Sequence, residues 1–443
     1  MKNIVILGAG FAGLKTAIKL EKSLKKSFGN APSSAKASAG RQDKLHHEWS
    51  VILIDRNSFH TYTSSLYEVA SAYSRKYAED FEELLGSSSC LSLVDIIGRK
   101  KITFIKQEVA GIDFIKKLVT TNTGDAIPFE YLVLALGSET SHFGVPGAEQ
   151  CCFSLKTLQD ALNIRKRIKE IFVQHKARGL NGKIKIIMAG AGPTGVETIA
   201  EIAKYAGHLA RDYKIDRSGV NILLLEARDE ILPYTAPAQR TAIEKRLKNL
   251  GIEIIAGARI NEVMQTCVVL EGGAKCEADI ILWGGGTKGP AILKTFKGIE
   301  LDNRGRALVN EFLSPYVGSP EGGQISKYVF AIGDNAVFVD KKSGMPAPAT
   351  AYIAEQQADT AAKNIIRSIQ KLPLKEYKPA IPGYIISCGG KYAVVNIYGV
   401  TFSGFFGWEL KRLIDLKYFI SILPFYKALS LWFKEMNLFT KND

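Results

Sequence analysis

Short apolar runs, each ending at glycine or an acid, organise this chain. The run Ile186 to Ala189 leads at once into Gly190-Ala-Gly192-Pro-Thr-Gly195. A helical pattern follows from Val196 to Tyr205, and a second apolar run, Val220 to Leu225, ends in Glu226. The pattern predicts strand, glycine turn, helix, strand, acid. The same order occurs at the N-terminus. Lys2 to Leu7 is an apolar strand, followed by Gly8-Ala-Gly10-Phe-Ala-Gly13, a helix to about Leu24, and the strand Val51 to Ile54 ending in Asp55. In such units the acid normally stands about 20 residues past the turn. Here it comes late, because Lys25 to Glu48, with Lys-Lys, Ser-Ser, Pro32 and Gly40, intervenes. That polar segment reads as a mobile surface loop.

Further elements fall into place around the two units. Ile127 to Leu134 reads as a strand turning at Gly137, and Lys156 to Phe172 as an amphipathic helix with Leu158, Leu162, Ile164, Ile168 and Ile171 on its apolar face. Ala278 to Gly286 reads as an exit strand and hinge, with Trp283 in the core. Tyr328 to Ile332 ends in Gly333-Asp334, and a helix runs from Ala349 to about Gln370. The tail, Phe402 to Phe439, carries Trp408, Leu413, Leu416, Phe419, Ile420, Leu423, Leu429, Trp432 and Phe433, interleaved with Lys411, Arg412, Lys417, Lys427 and Lys434. Pro424 divides it into two helices. Aromatic and aliphatic residues opposite basic ones describe a helix lying in a membrane interface, or a helix pair packed on the protein body or a dimer interface.

The length of 443 residues predicts two or three domains. A net charge of +14 favours an anionic partner surface. With no zinc-ligand spacing and no nucleic-acid motif, that surface is expected to be lipid rather than nucleic acid. A strand beginning at Lys2 leaves no room for a signal peptide. No uncharged apolar run reaches the roughly 18 residues of a spanning helix. The six cysteines form no Cys-x-x-Cys, which suits a reducing compartment.

The chemistry of the repeated unit is that of a dinucleotide site. Gly190 permits the turn, Gly192 lets the backbone approach a pyrophosphate, and Gly195 seats the helix against the strand. The helix start around Thr194 offers N–H groups and partial positive charge to phosphates. Glu226 can accept a ribose diol and would repel a 2′-phosphate, so NADH is favoured over NADPH, with Arg228 tempering the preference. Two units suggest two dinucleotides. FAD is expected at Gly8, Gly10, Phe11, Ala12, Gly13, Asp55 and Arg56, with Ala135, Gly137, Gly333 and Asp334. A carboxylate at that last strand end suits a sugar-alcohol hydroxyl of the flavin. NADH is expected at Gly190, Gly192, Thr194, Gly195, Glu226 and Gly285. The fold class is thus α/β, with two Rossmann-like dinucleotide-binding domains and a C-terminal amphipathic, membrane-anchoring helical segment. Expected boundaries are 1–150 and 289–375 for FAD, 151–288 for NADH and 376–443 for the tail.

These motifs are similar to those of the type II NADH dehydrogenases, single-subunit flavoproteins that reduce membrane quinone without pumping protons. The resemblance covers nearly the whole chain and rests on both glycine turns, Leu134-Ala-Leu-Gly137-Ser, Phe143-Gly-Val-Pro-Gly147, Leu224-Leu-Glu226-Ala and Ala331-Ile-Gly333-Asp334. Pro348 to Gln357 and Ser403-Gly-Phe-Phe-Gly-Trp408 complete it. It implies that Glu197 lies near the nicotinamide and flavin rings, and that Gln356 lines a quinone pocket. It further implies a homodimer held peripherally on the cytoplasmic face of the cell membrane. Hydride would pass from NADH to the flavin, and two electrons from the flavin to quinone. The chain departs from the family pattern at Tyr352, where a first glutamine is usual, at Leu136, and through His60 to Tyr67.

Two alternatives stay open at this level. A sulfide:quinone oxidoreductase would use Cys388 with Cys151 or Cys152 beside the flavin. A soluble NADH:acceptor reductase would pass electrons to a protein.

Overall fold

The computed structural model describes residues 1–29, 48–74, 80–177, 182–317 and 324–440. The expected loop Lys25 to Glu48 lies largely outside them, apart from helix to Gly29. The chain divides into two units, Met1–His60 with Leu91–Glu139 and Thr287–Ile381, and Thr61–Cys90 with Thr140–Gly286 and Pro382–Asp443.

In the first unit, Ile4, Val5, Ile6 and Leu7 are fully buried, which a strand allows only if the sheet is covered on both faces. The five-stranded sheet runs Val329–Ala331, Tyr131–Leu134, Lys2–Leu7, Trp49–Asp55, Ile102–Lys106, all parallel. Leu7 sits opposite both Ile54 and Leu134, so the glycine turn after it leaves the sheet level with its two neighbours. The Phe11–Gly29 helix packs on the Ala351–Ile369 helix, joined by Lys15–Glu355 at 3.0 Å and Lys19–Asp359 at 2.5 Å. The predicted strand from Ile127 is two, Ala126–Pro128 and Tyr131–Leu134.

The second unit repeats that architecture. Its sheet runs Phe153–Ser154, Ile280–Trp283, Ile184–Ala189, Val220–Leu225, Ile252–Ile255, again parallel. Alternate strand residues feed two cores. Ile186, Met188, Leu224 and Leu282 face one; Ile187, Ala189, Leu225 and Trp283 face the other. Trp283 is core, as its surroundings in the sequence suggest, and its indole N–H donates to the Ser141 carbonyl at 2.8 Å. The helix Leu158–Ala177 buries Ala161, Ile164, Ile168, Ile171 and Phe172. Its start is a reciprocal cap: the Asp160 carboxylate accepts from the Thr157 backbone N–H at 2.8 Å, and Thr157 Oγ1 accepts from the Asp160 N–H at 3.1 Å.

The tail begins in a three-stranded antiparallel sheet, Gly383–Ser387, Ala393–Ile397 and Val400–Gly404. The helices Phe405–Ile422 and Phe425–Phe439 follow, broken at Pro424 as predicted. Their faces differ from expectation. Trp408 and Phe419 are buried, but so are Lys411 and Arg412, which the amphipathic reading placed on the polar side. Phe405, Phe406, Leu413, Ile414, Ile420, Phe425, Tyr426 and Phe433 are exposed instead. Buried acids pull the two cations inward. Among the described residues no helix is long and apolar enough to cross a membrane.

Gly407 lets the first tail helix touch its sheet, since a Cβ there would stand 2.5 Å from the Ala393 carbonyl oxygen. Gly407→Ala is expected to cost about 1–3 kcal/mol and to speed proteolytic release of the tail, measured by limited trypsin digestion against wild type.

Candidate functional site

Each glycine of the two turns meets a different constraint, and the two turns match position by position. Gly8 and Gly190 have φ of +99° and +96°. A Cβ on Gly8 would lie 2.3 Å from the Ala135 carbonyl oxygen, and one on Gly190 2.7 Å from that of Gly284. A Cβ on Gly13 or Gly195 would lie 1.8 or 2.0 Å from the carbonyl oxygen of Gly8 or Gly190. At Gly10 and Gly192 a Cβ would meet nothing within 4 Å. The outer glycines therefore answer to the protein, and the middle ones keep open the backbone that a pyrophosphate approaches. Ala135 thus borders the first turn. In the second, Gly284 takes that place, and Gly285 is crowded by the indole of Trp283, 2.9 Å from its Cβ position.

The acids match as well. Asp55 accepts from the Ala9 N–H at 2.7 Å and from the Asn57 N–H at 2.7 Å. Glu226 accepts from the Ala191 N–H at 2.7 Å and from the Arg228 N–H at 3.0 Å. Each carboxylate is held onto its own turn by two backbone donors, and about two of its four acceptor positions remain for a diol. Pro193 opens the second helix, and its cap residue Gly192 has no side chain to satisfy the first N–H groups. Thr194 is exposed at that end. Arg56 is exposed and pairs with Glu108 at 3.5 Å.

The Gly-Asp strand end joins the first turn. Gly333, at φ +74°, places its Cβ position 3.2 Å from the Ala12 methyl. Asp334 accepts from Ser138 Oγ at 3.0 Å. Fully buried Asn335 accepts from the Gly137 N–H at 3.3 Å and donates to the Leu134 carbonyl at 3.2 Å. Gln357 accepts the Gly333 N–H at 2.7 Å, whereas the amide of its neighbour Gln356 both donates to and accepts from the Ala380 backbone, at 2.8 and 2.9 Å. Tyr352, one turn earlier, is half-exposed. Sequence reasoning had no role for Asn335, Ser138 or Gln357, although all three flank motif residues. It marked His60 only as part of a departure from the family pattern, without a role. That ring is buried, packs edge-on to Phe11 at 5.1 Å, and donates from Nδ1 to the Ala9 carbonyl at 2.9 Å. Burial pushes its pKa down to about 4, so it braces the first turn as a neutral imidazole.

Glu197 opens a chain of polar contacts within the second unit. It accepts the Ser387 N–H at 3.2 Å, and Ser387 Oγ accepts the Tyr67 hydroxyl at 3.0 Å. The Lys411 ammonium lies 5.5 Å from the centre of the Tyr67 ring and 3.3 Å from Asp415, which also accepts the Tyr62 hydroxyl at 2.6 Å. Arg412 pairs with Glu68 and, at 3.5 Å, with Asp415. Burial pushes Glu197 up to about 7, with Lys411 opposing the shift. Burial raises Glu435 well above the ordinary range, and Asp415 adds to it. Both oxygens of Glu435 and the Arg412 Nε are buried without a hydrogen-bond partner among the described residues. Four acids, Glu68, Glu197, Asp415 and Glu435, face two cations, so two exchangeable protons bring the cluster to neutrality.

Residues 2–358 match the pyridine nucleotide-disulphide oxidoreductase family. The chain belongs to that family. Over 94% of both chains it is 28% identical to the type II NADH:quinone oxidoreductase of Staphylococcus saprophyticus, and 27% identical to that of Staphylococcus aureus. Among solved structures, NDH2 from Plasmodium falciparum in complex with NADH matches with a TM-score of 0.77 at 16% identity, covering 98% of each chain. The sulfide:quinone oxidoreductase of Aquifex aeolicus matches at 0.71 and 19% identity, covering 97% of this chain and 92% of that one.

In this pyridine nucleotide-disulphide oxidoreductase the described cysteines are all free thiols. Cys388 belongs to the buried cluster that holds Ile186 and Met188, whereas Cys151 and Cys152 lie against the cluster that holds Ile187 and Ala189, on the opposite face of the same sheet. They do not form a pair. Burial raises the Cys388 thiol, with Glu197 adding to it, and lifts Cys152 to about 12, so both stay protonated at neutral pH.

Two substitutions separate the roles in the ion cluster. Arg412→Leu leaves Glu68 uncompensated, while Lys411 stays 3.3 Å from Asp415, and is expected to cost about 3–5 kcal/mol, read by urea unfolding. Glu435 has a raised folded pKa, so it weakens the fold increasingly as pH rises above its unfolded value of about 4.5. Glu435→Gln should raise the melting temperature at pH 8 and lose that advantage below pH 4.5, followed by calorimetry across the range.

Proposed function

We propose that this chain is a type II NADH:quinone oxidoreductase, holding FAD at the first glycine turn and NADH at the second. The observation that carries the reading is the pair of matched turns, each with its middle glycine open and its acid fixed, in a chain aligned over 94% of its length with relatives of that name. Flavin, when bound, accepts hydride from the nicotinamide and passes two electrons on to the quinone.

The protein's part is positional and electrostatic. Ala9 and Ala191 orient the acids that take the riboses. Asp334, held by Ser138, takes the flavin's sugar alcohol, while Asn335 and Gln357 fix the backbone around it. Glu197 acts beside the reacting rings in its protonated form, which keeps negative charge away from them. Tyr352 and Gln356, four residues apart on one helix, stand on the quinone side.

The exposed aromatics of the tail helices insert into an anionic lipid surface at the cytoplasmic face, with Lys417 exposed beside them. The Lys434 ammonium donates to Ser87 at 2.6 Å. The split of Cys388 from Cys151 and Cys152 speaks against the sulfide reading.

Anaerobic stopped flow tests the reaction. NADH alone should bleach the flavin band rapidly, and a soluble quinone should restore it. Bleaching by sulfide but not by NADH overturns the reading. The rate of bleaching should fall as pH rises through about 7 and become flat in Glu197→Gln; a profile unchanged by that substitution removes Glu197 from the site.

Vesicle co-sedimentation tests the surface. Binding to phosphatidylglycerol should exceed binding to phosphatidylcholine, and Phe405→Ser with Phe406→Ser should weaken it at least tenfold. Loss of a dimer without loss of lipid binding would assign the patch to a second copy of the chain.

A further inference from the structure

The loop after Glu226 is fastened onto the second glycine turn. Leu232 is buried in the left-handed region at φ +47°, a conformation costly for a branched side chain, and its N–H donates to the Ala191 carbonyl at 3.1 Å. Thr235 closes back on the Leu232 carbonyl through its N–H at 2.9 Å and its hydroxyl at 2.8 Å. An ion pair between Glu230 and Arg240 ties the loop to the helix that follows. Contacts at both ends and a strained residue in the middle hold this loop in one conformation.

That conformation decides where Arg228 points. Its N–H is bound to Glu226, so its side chain starts beside the carboxylate placed to take a ribose diol. An arginine there is the natural partner of a 2′-phosphate, which it binds through two parallel N–H donors. Here the guanidinium lies over Tyr234 instead, 5.2 Å from the ring centre, and its Nη1 donates to the tyrosine hydroxyl at 3.1 Å. Tyr234 is 66% exposed, so core packing does not explain its place.

We propose that Tyr234 is a specificity-positioning residue, which holds the Arg228 guanidinium off the ribose 2′ position and keeps the site selective for a dinucleotide without a 2′-phosphate. The proposal rests on the reading of the second turn as the nicotinamide dinucleotide site. Glu226 repels the extra phosphate, and Tyr234 draws away Arg228, a cation able to offset that repulsion. Selectivity is then a property of three residues in one loop rather than of the acid alone.

Calorimetric titration of the flavin-loaded protein with NAD⁺ and NADP⁺ tests this in wild type, Tyr234→Ala, Arg228→Ala and the double variant. Steady-state kcat/KM with NADH and NADPH is measured in parallel. An exposed cation–π contact with one hydrogen bond corresponds to roughly a two- to fivefold effect. Tyr234→Ala should therefore improve NADP⁺ binding relative to NAD⁺ by about that factor. The same substitution in the Arg228→Ala background should leave the ratio unchanged. An unchanged ratio in Tyr234→Ala, or an equal shift with and without Arg228, overturns the proposal. Failure of wild type to bind either dinucleotide overturns the reading of the site itself, which separates the two.

Discussion

Two carbonyl oxygens set the terms for this molecule. Those of Gly8 and Gly190 stand where Cβ atoms of Gly13 and Gly195 would be, at 1.8 and 2.0 Å. Only hydrogen at those positions lets each helix begin directly against its strand. That contact carries the rest of each unit. The helix start falls at the carboxyl edge of the sheet, level with the ends of both neighbouring strands. The acid of the next strand then reaches the turn's own N–H, at 2.7 Å in both units. A ligand site follows from a packing constraint met twice in the same way.

The tail obeys a different constraint. Burying Lys411 and Arg412 is tolerable only because Glu68 and Asp415 come in with them, and burial raises Glu197 to about 7 and Glu435 well above the ordinary range, so that proton uptake can relieve the surplus of acid. A helix that turns its charges inward must show apolar residues outward, and eight large ones are exposed on the two tail helices. The polar interior and the apolar exterior are one arrangement. It also joins Glu197, beside the second turn, to the tail through Ser387, Tyr67 and Lys411, so the residue read as closest to the chemistry shares its electrostatics with the segment read as closest to the membrane.

Much of the site was legible because its determinants are local. Glycines at fixed spacing, an acid at a strand end and a Gly-Asp turn are each satisfied within a few residues, or across adjacent strands whose register the apolar runs dictate. Less was legible where the partner is distant in sequence. Gln356 and Gln357 are indistinguishable by composition, yet one reaches the Gly333 backbone and the other Ala380, because adjacent positions on a helix point about 100° apart. His60 drew notice only as a departure from a pattern, since its role depends on Phe11 and Ala9 lying across the fold.

By itself the sequence determined the two dinucleotide units, the order of strand and helix within them, the acids, and the break at Pro424. These depend on steric rules and hydrophobic periods acting over short stretches. The tertiary structure alone decided which face of the tail is buried, which glutamine reaches the Gly333 backbone, that Cys388 and the Cys151–Cys152 pair lie across a sheet from each other, and that Arg228 rests on Tyr234. The first three depend on charges and side chains from separate segments meeting in a water-poor interior, where a partner changes the sign of the preference that the same residue has alone; the last depends on the fixed conformation of an exposed loop.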